Sequence, residues 1–204
     1  MKKKLLLTVL IIFLFQKLYS QEIYFQSGFN TTRYDYKNSQ GTANDNIDKG
    51  MGMFYEIGYL SYLTKKINYS IGVSLNEYNA VGGNTVNNYR WDTRYIGVNN
   101  RLIYLFASFN DFECSTSAGL GLSTILSGNQ KIDGETHNLV SNSEFSGLII
   151  VPAIGLEIKT IITGSTFLSL GYNFTKSLRL SNTSDEKLSF NTHQISFGVH
   201  LFIR

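Results

Sequence analysis

The chain has 204 residues, enough for one domain, with 43% hydrophobic residues, 16% charged residues and a formal net charge of +3. Its single cysteine, Cys114, excludes an internal disulfide. The basic balance does not point to nucleic acid. Of 18 Lys+Arg, four (Lys2, Lys3, Lys4 and Lys17) lie in the first twenty residues, which leaves 14 against 15 Asp+Glu in the remainder.

Those first twenty residues read as a secretory signal peptide. Lys2, Lys3 and Lys4 form a basic start, Leu5 to Phe15 is an almost unbroken apolar run, and small Ser20 precedes Gln21. The apolar run is about half the roughly twenty residues that a spanning helix needs. No cysteine follows it, so a lipoprotein anchor is not expected. The expected organisation is a signal peptide at 1–20 and one folded domain at 21–204.

Period-2 alternation bounded by turn residues predicts eight strands after residue 21. They fall at about 22–34, 51–62, 67–78, 91–106, 113–127, 145–159, 166–179 and 191–203. The connections alternate in character. Those at 35–50, 79–90, 128–144 and 180–190 are long and polar, and those at 63–66, 107–112 and 160–165 are short.

The third strand shows the face pattern most cleanly. Ile67, Tyr69, Ile71, Val73 and Leu75 share one face, and Asn68, Ser70, Gly72, Ser74 and Asn76 the other. In the fifth strand Ala118, Leu120, Leu122 and Leu126 oppose Ser117, Gly119, Gly121 and Ser123. The seventh sets Leu168, Leu170, Tyr172 and Phe174 against Ser169, Gly171, Asn173 and Thr175. The eighth sets Ile195, Phe197, Val199, Leu201 and Ile203 against Gln194, Ser196, Gly198 and His200.

A water-facing sheet surface usually carries Lys and Glu. Here the less apolar face is mostly Gly, Ser, Asn and Thr, which suits the inside of a narrow barrel, while the apolar face suits lipid. The strands are also long enough to cross a bilayer at a tilt. The fold expected is all-β: an eight-stranded antiparallel up-and-down transmembrane β-barrel, long loops on one side and tight turns on the other. Aromatics at strand ends read as interface girdles: Tyr59, Tyr62, Tyr69, Tyr104 and Phe106 below, and Tyr34, Tyr36, Tyr78, Tyr89 and Trp91 above. Some residues fit poorly. Asn100 and Pro152 fall on the apolar face, and Ile103, Ile149 and Val151 on the polar one. A bulge or register shift would account for Pro152, which lacks a ladder donor.

Short glycine-alternating segments carry a family resemblance: Tyr95-Ile96-Gly97-Val98, Ala118-Gly119-Leu120-Gly121-Leu122-Ser123, Gly155-Leu156-Glu157-Ile158, Gly171-Tyr172-Asn173-Phe174 and Ile195-Ser196-Phe197-Gly198-Val199. With these the chain resembles the PorT-like outer-membrane β-barrel family of Gram-negative bacteria. The resemblance implies eight antiparallel strands, insertion in the outer membrane and, for most members, no known biochemical activity. The chain departs from the family where an acid and then a proline are common in the fourth strand, having Gly97 and Asn99, and it ends in Arg204 after Phe202.

The most pointed set of polar residues is the charges on the inward faces: Glu56, Arg101, Glu157, Lys159 and His200. A small lumen does not hold isolated charges cheaply, so they should pair, and Arg101 with Glu157 is the pairing expected. Such a set acts as a structural plug or as an ion gate. His137 lies in a loop, and His193 and His200 lie on opposite faces of one strand, so no zinc-like spacing appears and no metal or cofactor is expected. No G-x-S-x-G is present, and no enzyme activity is expected. Cys114 reads as a small apolar filler.

The functional expectation is a structural or interaction protein of the outer membrane, monomeric, acting through its extracellular loops. Its partners are membrane lipid, the barrel assembly machinery during insertion and a protein at the loops. The alternatives are a narrow channel, a lipid-modifying enzyme, and a soluble secreted barrel with its apolar face inside around a small ligand.

Overall fold

A computed structural model describes residues 21–44, 46–83, 88–180 and 186–203. The expected signal peptide and the terminal Arg204 lie outside the described residues. Eleven strands form: β1 (Gln21–Lys37), β2 (Ile47–Tyr62), β3 (Ile67–Glu77), β4 (Ala80–Gly83), β5 (Asn88–Phe109), β6 (Phe112–Ile132), β7 (Glu135–Asn138), β8 (Leu148–Thr163), β9 (Thr166–Lys176), β10 (Leu178–Arg179) and β11 (Lys187–Ile203).

Eight of them close a ring in the order β1, β2, β3, β5, β6, β8, β9, β11 and back to β1, every pair antiparallel. The closing seam is the longest uninterrupted ladder, from Gln21↔Ile203 to Lys37↔Lys187. Closure matters because lipid offers no hydrogen bonds, so an open edge in the membrane would leave a row of backbone groups unpaired.

The face assignment predicted for the third, fifth, seventh and eighth strands is observed. Leu120, Ile154 and Phe197 point outward and are about 60% exposed (59%, 61% and 60%). Polar Ser70, Ser74, Asn76, Gln194, Ser196 and His200 point inward and are buried. An exposed apolar belt around a polar lumen is stable in lipid and not in water, which overturns the soluble-calyx alternative. Among the described residues no helix is long and apolar enough to cross a membrane.

The turns at one end are tight. Asn110 adopts a left-handed φ of 53° between β5 and β6, and Thr64 Oγ1 accepts from the backbone N–H groups of Lys66 and Ile67 at 3.2 and 2.9 Å between β2 and β3. The opposite end differs from expectation. Much of the polar sequence predicted as loop at 35–50 and 128–144 is strand that projects past the belt. β6 continues to Ile132 and turns at Asp133-Gly134, both at positive φ (48° and 93°), into β7. That pair of left-handed residues is what a two-residue hairpin of right-handed twist requires.

Irregularities sit elsewhere than predicted. Register shifts occur between Arg94 and Tyr95, between Leu105 and Ala107, and between Ile161 and Thr163. The first leaves Leu126 without a partner, so Leu126 and Ser127 are both exposed and the inward face resumes at Gly128. Asn100 and Pro152, by contrast, stay in register, paired through Asn100↔Leu120 and Leu120↔Pro152. Asn100 is satisfied on the outer face by the Tyr69 hydroxyl, which donates to Oδ1 at 2.6 Å. The Leu148 carbonyl accepts from Leu180 N at 3.2 Å, so alternate residues of β8, Pro152 among them, turn their backbone groups toward β9 and β10. The ladder there stops at Ala153↔Thr175 and resumes at Ile150↔Leu178, so the missing donor falls in the break.

Candidate functional site

Inside the ring the side chains form layers. Lowest, near the tight turns, is a cluster on Glu22. Lys159 Nζ donates to its Oε1 at 2.9 Å, His200 Nδ1 lies 3.0 Å from its Oε2, and the Tyr62 hydroxyl donates to it as well. Lys159 also reaches Glu113 at 3.4 Å and sits 4.8 Å from the centre of the Phe167 ring. A carboxylate only accepts, so His200 Nδ1 donates to Glu22, and its Nε2 lies 3.0 Å from the Ser169 hydroxyl.

The second layer is centred on Glu56. Arg101 grips it with two parallel bonds, Nη1 to Oε1 and Nη2 to Oε2, both 2.7 Å. The Tyr24 hydroxyl donates at 2.7 Å, and the Asn99 amide donates to the other oxygen. Gly72 makes room for this: a Cβ there would lie 2.7 Å from the Tyr24 hydroxyl and 2.9 Å from Glu56 Oε1. Above it lies an amide layer, where Gln194 Nε2 donates to Asn30 Oδ1 at 2.9 Å and Asn30 reaches Asn76 at 3.3 Å. Thr32 and Thr192 bond at 3.0 Å.

The highest layer is aromatic. Phe190 lies 4.7 Å from Tyr34, 5.3 Å from Tyr78, 5.6 Å from Tyr95 and 6.4 Å from Phe145, ring centre to ring centre. Leu139 and Phe145, from the segment between β7 and β8, fold down into it and are buried. The Tyr95 hydroxyl donates to the Phe145 carbonyl at 2.9 Å and fixes that segment across the mouth. Ile149 and Val151, which looked misplaced on the polar face, belong to this cluster.

The structure places all five sequence-predicted residues in the lumen. It brings Glu56 and Arg101 together, and Lys159 with His200, the latter through Glu22. The expected Arg101–Glu157 pair does not form. Arg101 takes Glu56, and Glu157 accepts instead from Gln26 at 2.9 Å. Glu22, Tyr24 and Asn99 were missed, although each shares the inward parity of its strand. Tyr34 and Tyr78, assigned above to an outer girdle, are buried in the plug, and Tyr62 points inward to Glu22. His193 faces outward and is bonded to the Tyr172 hydroxyl, on the opposite face from His200.

The internal voids are small. One of about 30 Å³ touches Arg101 and His200, and one of about 20 Å³ touches Asn76 and Asn99. Each has room for about one or two water molecules. The arrangement therefore seals the lumen at several depths.

The ring of eight strands, the apolar belt and the polar filling decide the class. The fold is that of an outer-membrane β-barrel. Among solved structures, the chain is similar to Neisserial surface protein A, with 13% identity over 88% of this chain and 96% of that one and a TM-score of 0.50. It is also similar to the outer membrane protein OprG from Pseudomonas aeruginosa, with 11% identity over 90% and 96% of the two chains and a TM-score of 0.57. No protein-family pattern and no curated protein matches the sequence. The barrel has the architecture of a membrane-spanning one, its apolar belt suited to lipid and its eight-stranded ring complete within one chain.

Proposed function

We propose that this is a small integral barrel of the PorT-like kind, exported by its signal peptide and inserted by the assembly machinery. It has a closed lumen and a structural or interaction role at its extracellular face. The observation that carries this reading is the filling of the lumen: charged, amide and aromatic layers follow one another, and the two voids among them measure about 30 and 20 Å³, room for one or two waters each. With the wall committed to lipid and the interior filled, the surface left for a partner is the loop end. There the mouth opens into a cup of about 380 Å³ lined by Tyr34, Tyr36, Tyr89, Trp91, Glu144 and Phe145. Beside it, the hairpin of β6 and β7 presents exposed Lys131, Glu135 and His137.

Crosslinking on intact cells followed by purification in detergent tests this role. A partner captured by the wild type should be lost when Lys131, Glu135 and His137 are all replaced by alanine. A capture pattern that is the same for both chains contradicts the assignment to this hairpin.

Enzymatic activity is the second reading, and one arrangement favours it. Ser169, His200 and Glu22 form a hydroxyl–imidazole–carboxylate relay, 3.0 Å at each step, in the order that activates a serine nucleophile. The surroundings argue against its use. Ser169 is buried, the void beside His200 takes a water and no acyl group, and Lys159 competes for the same carboxylate. The expected result is therefore that an alkyl fluorophosphonate leaves Ser169 unmodified by mass spectrometry. Labelling that disappears in Ser169→Ala would establish a serine hydrolase.

A further inference from the structure

Above the belt the barrel wall opens between β9 and β11. The ladder between β9 and β11 ends at Asn191↔Lys176, with Ser177 N still donating to the Phe190 carbonyl at 2.8 Å; beyond that β10 pairs with β8, and β11 continues upward beside β1. The gap is a cleft of about 410 Å³ lined by Asp35, Lys37, Lys176, Leu178, Arg179 and Lys187. With Ser177, Leu188 and Ser189 the lining has nine residues, four of them cationic and one acidic.

Three observations make this more than a wet surface. Lys37 and Lys187 are direct cross-strand partners, an arrangement that repels unless an anion lies between them. Lys37, Lys176 and Lys187 are exposed and form no ion pair with a described residue. On the other side of the barrel Arg94 is paired with Glu77 at 2.6 Å, and Arg90, which faces Lys131 across the strands, with Asp92 at 2.8 Å. The cleft thus gathers four cations against the single carboxylate of its own lining.

Its height identifies the anion. A strand crosses the bilayer in roughly 9–11 residues. β1 enters the belt at Ile23, so Arg33 lies at the outer interface and Lys37 projects roughly 10 Å farther, at about 2.5 Å of height per tilted residue. That is the level of lipid headgroups. Leu178, 47% exposed, and Leu188 give the cleft an apolar side for the rest of the molecule. We propose that this cleft binds the phosphate groups of a phosphorylated glycolipid of the outer leaflet, with Lys37, Lys176 and Lys187 as its ligands.

The test titrates the detergent-purified full-length chain with three probes: bisphosphorylated lipid A, the same lipid with its phosphates removed, and inorganic phosphate. Native mass spectrometry counts the bound lipid. The intact lipid should bind, and the dephosphorylated lipid should bind at least roughly tenfold more weakly. The variant with Lys37, Lys176 and Lys187 all changed to alanine should lose affinity similarly while keeping the unheated gel mobility of a folded barrel, and lysine-to-arginine changes should preserve binding. Equal binding of the two lipids overturns the proposal, and so does full affinity in the alanine variant. Displacement of the lipid by equimolar inorganic phosphate would mark a free-anion site and overturns it too. The comparison of the two lipids uses the wild type, so the decision stands even where the alanine variant fails to fold.

Discussion

Replacing Glu56 with alanine should destabilise the folded barrel by about 3–5 kcal/mol, the scale expected when one partner of a buried ion pair is removed. The Glu56 side chain has no solvent exposure, and that of Arg101 has 13%. Both charges are therefore held by each other and by the surrounding donors. Without the carboxylate, Arg101, Tyr24 and Asn99 lose their shared acceptor at once. Arg101→Ala should cost less, because Glu56 keeps the Tyr24 and Asn99 donors. Changing both residues to methionine should recover much of the loss, since an apolar pair of similar volume leaves no buried charge behind. Equilibrium unfolding by guanidinium in lipid vesicles measures all three. A Glu56→Ala midpoint equal to the wild type would mean that water reaches this layer.

Phe190→Ala should cost about 3–5 kcal/mol, the usual price of removing a buried aromatic ring. Phe190 is 3% exposed and is the one ring that touches Tyr34, Tyr78, Tyr95 and Phe145 together. Its loss leaves a cavity bounded by stiff rings anchored on four different parts of the chain, which restricts relaxation. The segment carrying Leu139 and Phe145 should loosen with it, so protease should cut between β7 and β8 in the variant well before it cuts the wild type. The same unfolding assay gives the energy, and limited proteolysis on vesicles gives the local effect. Unchanged stability together with unchanged cleavage would show that the plug does not hold this segment. Conductance should stay absent in Phe190→Ala, because the Glu56 and Glu22 layers lie below and are intact.

The two variants also mark what could be read from the sequence. The belt was legible because strand parity is a local property. Ile67 to Asn76 alternates without exception, and lipid rewards every outward apolar residue. The inward charges were legible for the same reason. Their partners were not, since pairing across a lumen depends on how far neighbouring strands slide past one another. Glu56 and Glu157 are each two strands from Arg101 along the ring, on opposite sides. What separates them is that Tyr24 and Asn99 gather on Glu56 while Gln26 takes Glu157. The aromatic plug was misread because tyrosine suits both an interface and a satisfied interior site. Parity held the answer for Tyr34, which aligns with Tyr24, Gln26 and Asn30 on the inward face of β1. Leu139 and Phe145 had no such signal. They lie in a segment without period, and only its folding back over the mouth buries them.

Planar-bilayer recording of the purified barrel tests the central claim of a closed lumen most directly. The account predicts no stable conductance steps for the wild type or for Arg101→Ala, because the charged, amide and aromatic layers block in series. A steady conductance in the wild type that rises in Arg101→Ala would contradict it and make the Glu56–Arg101 pair a gate.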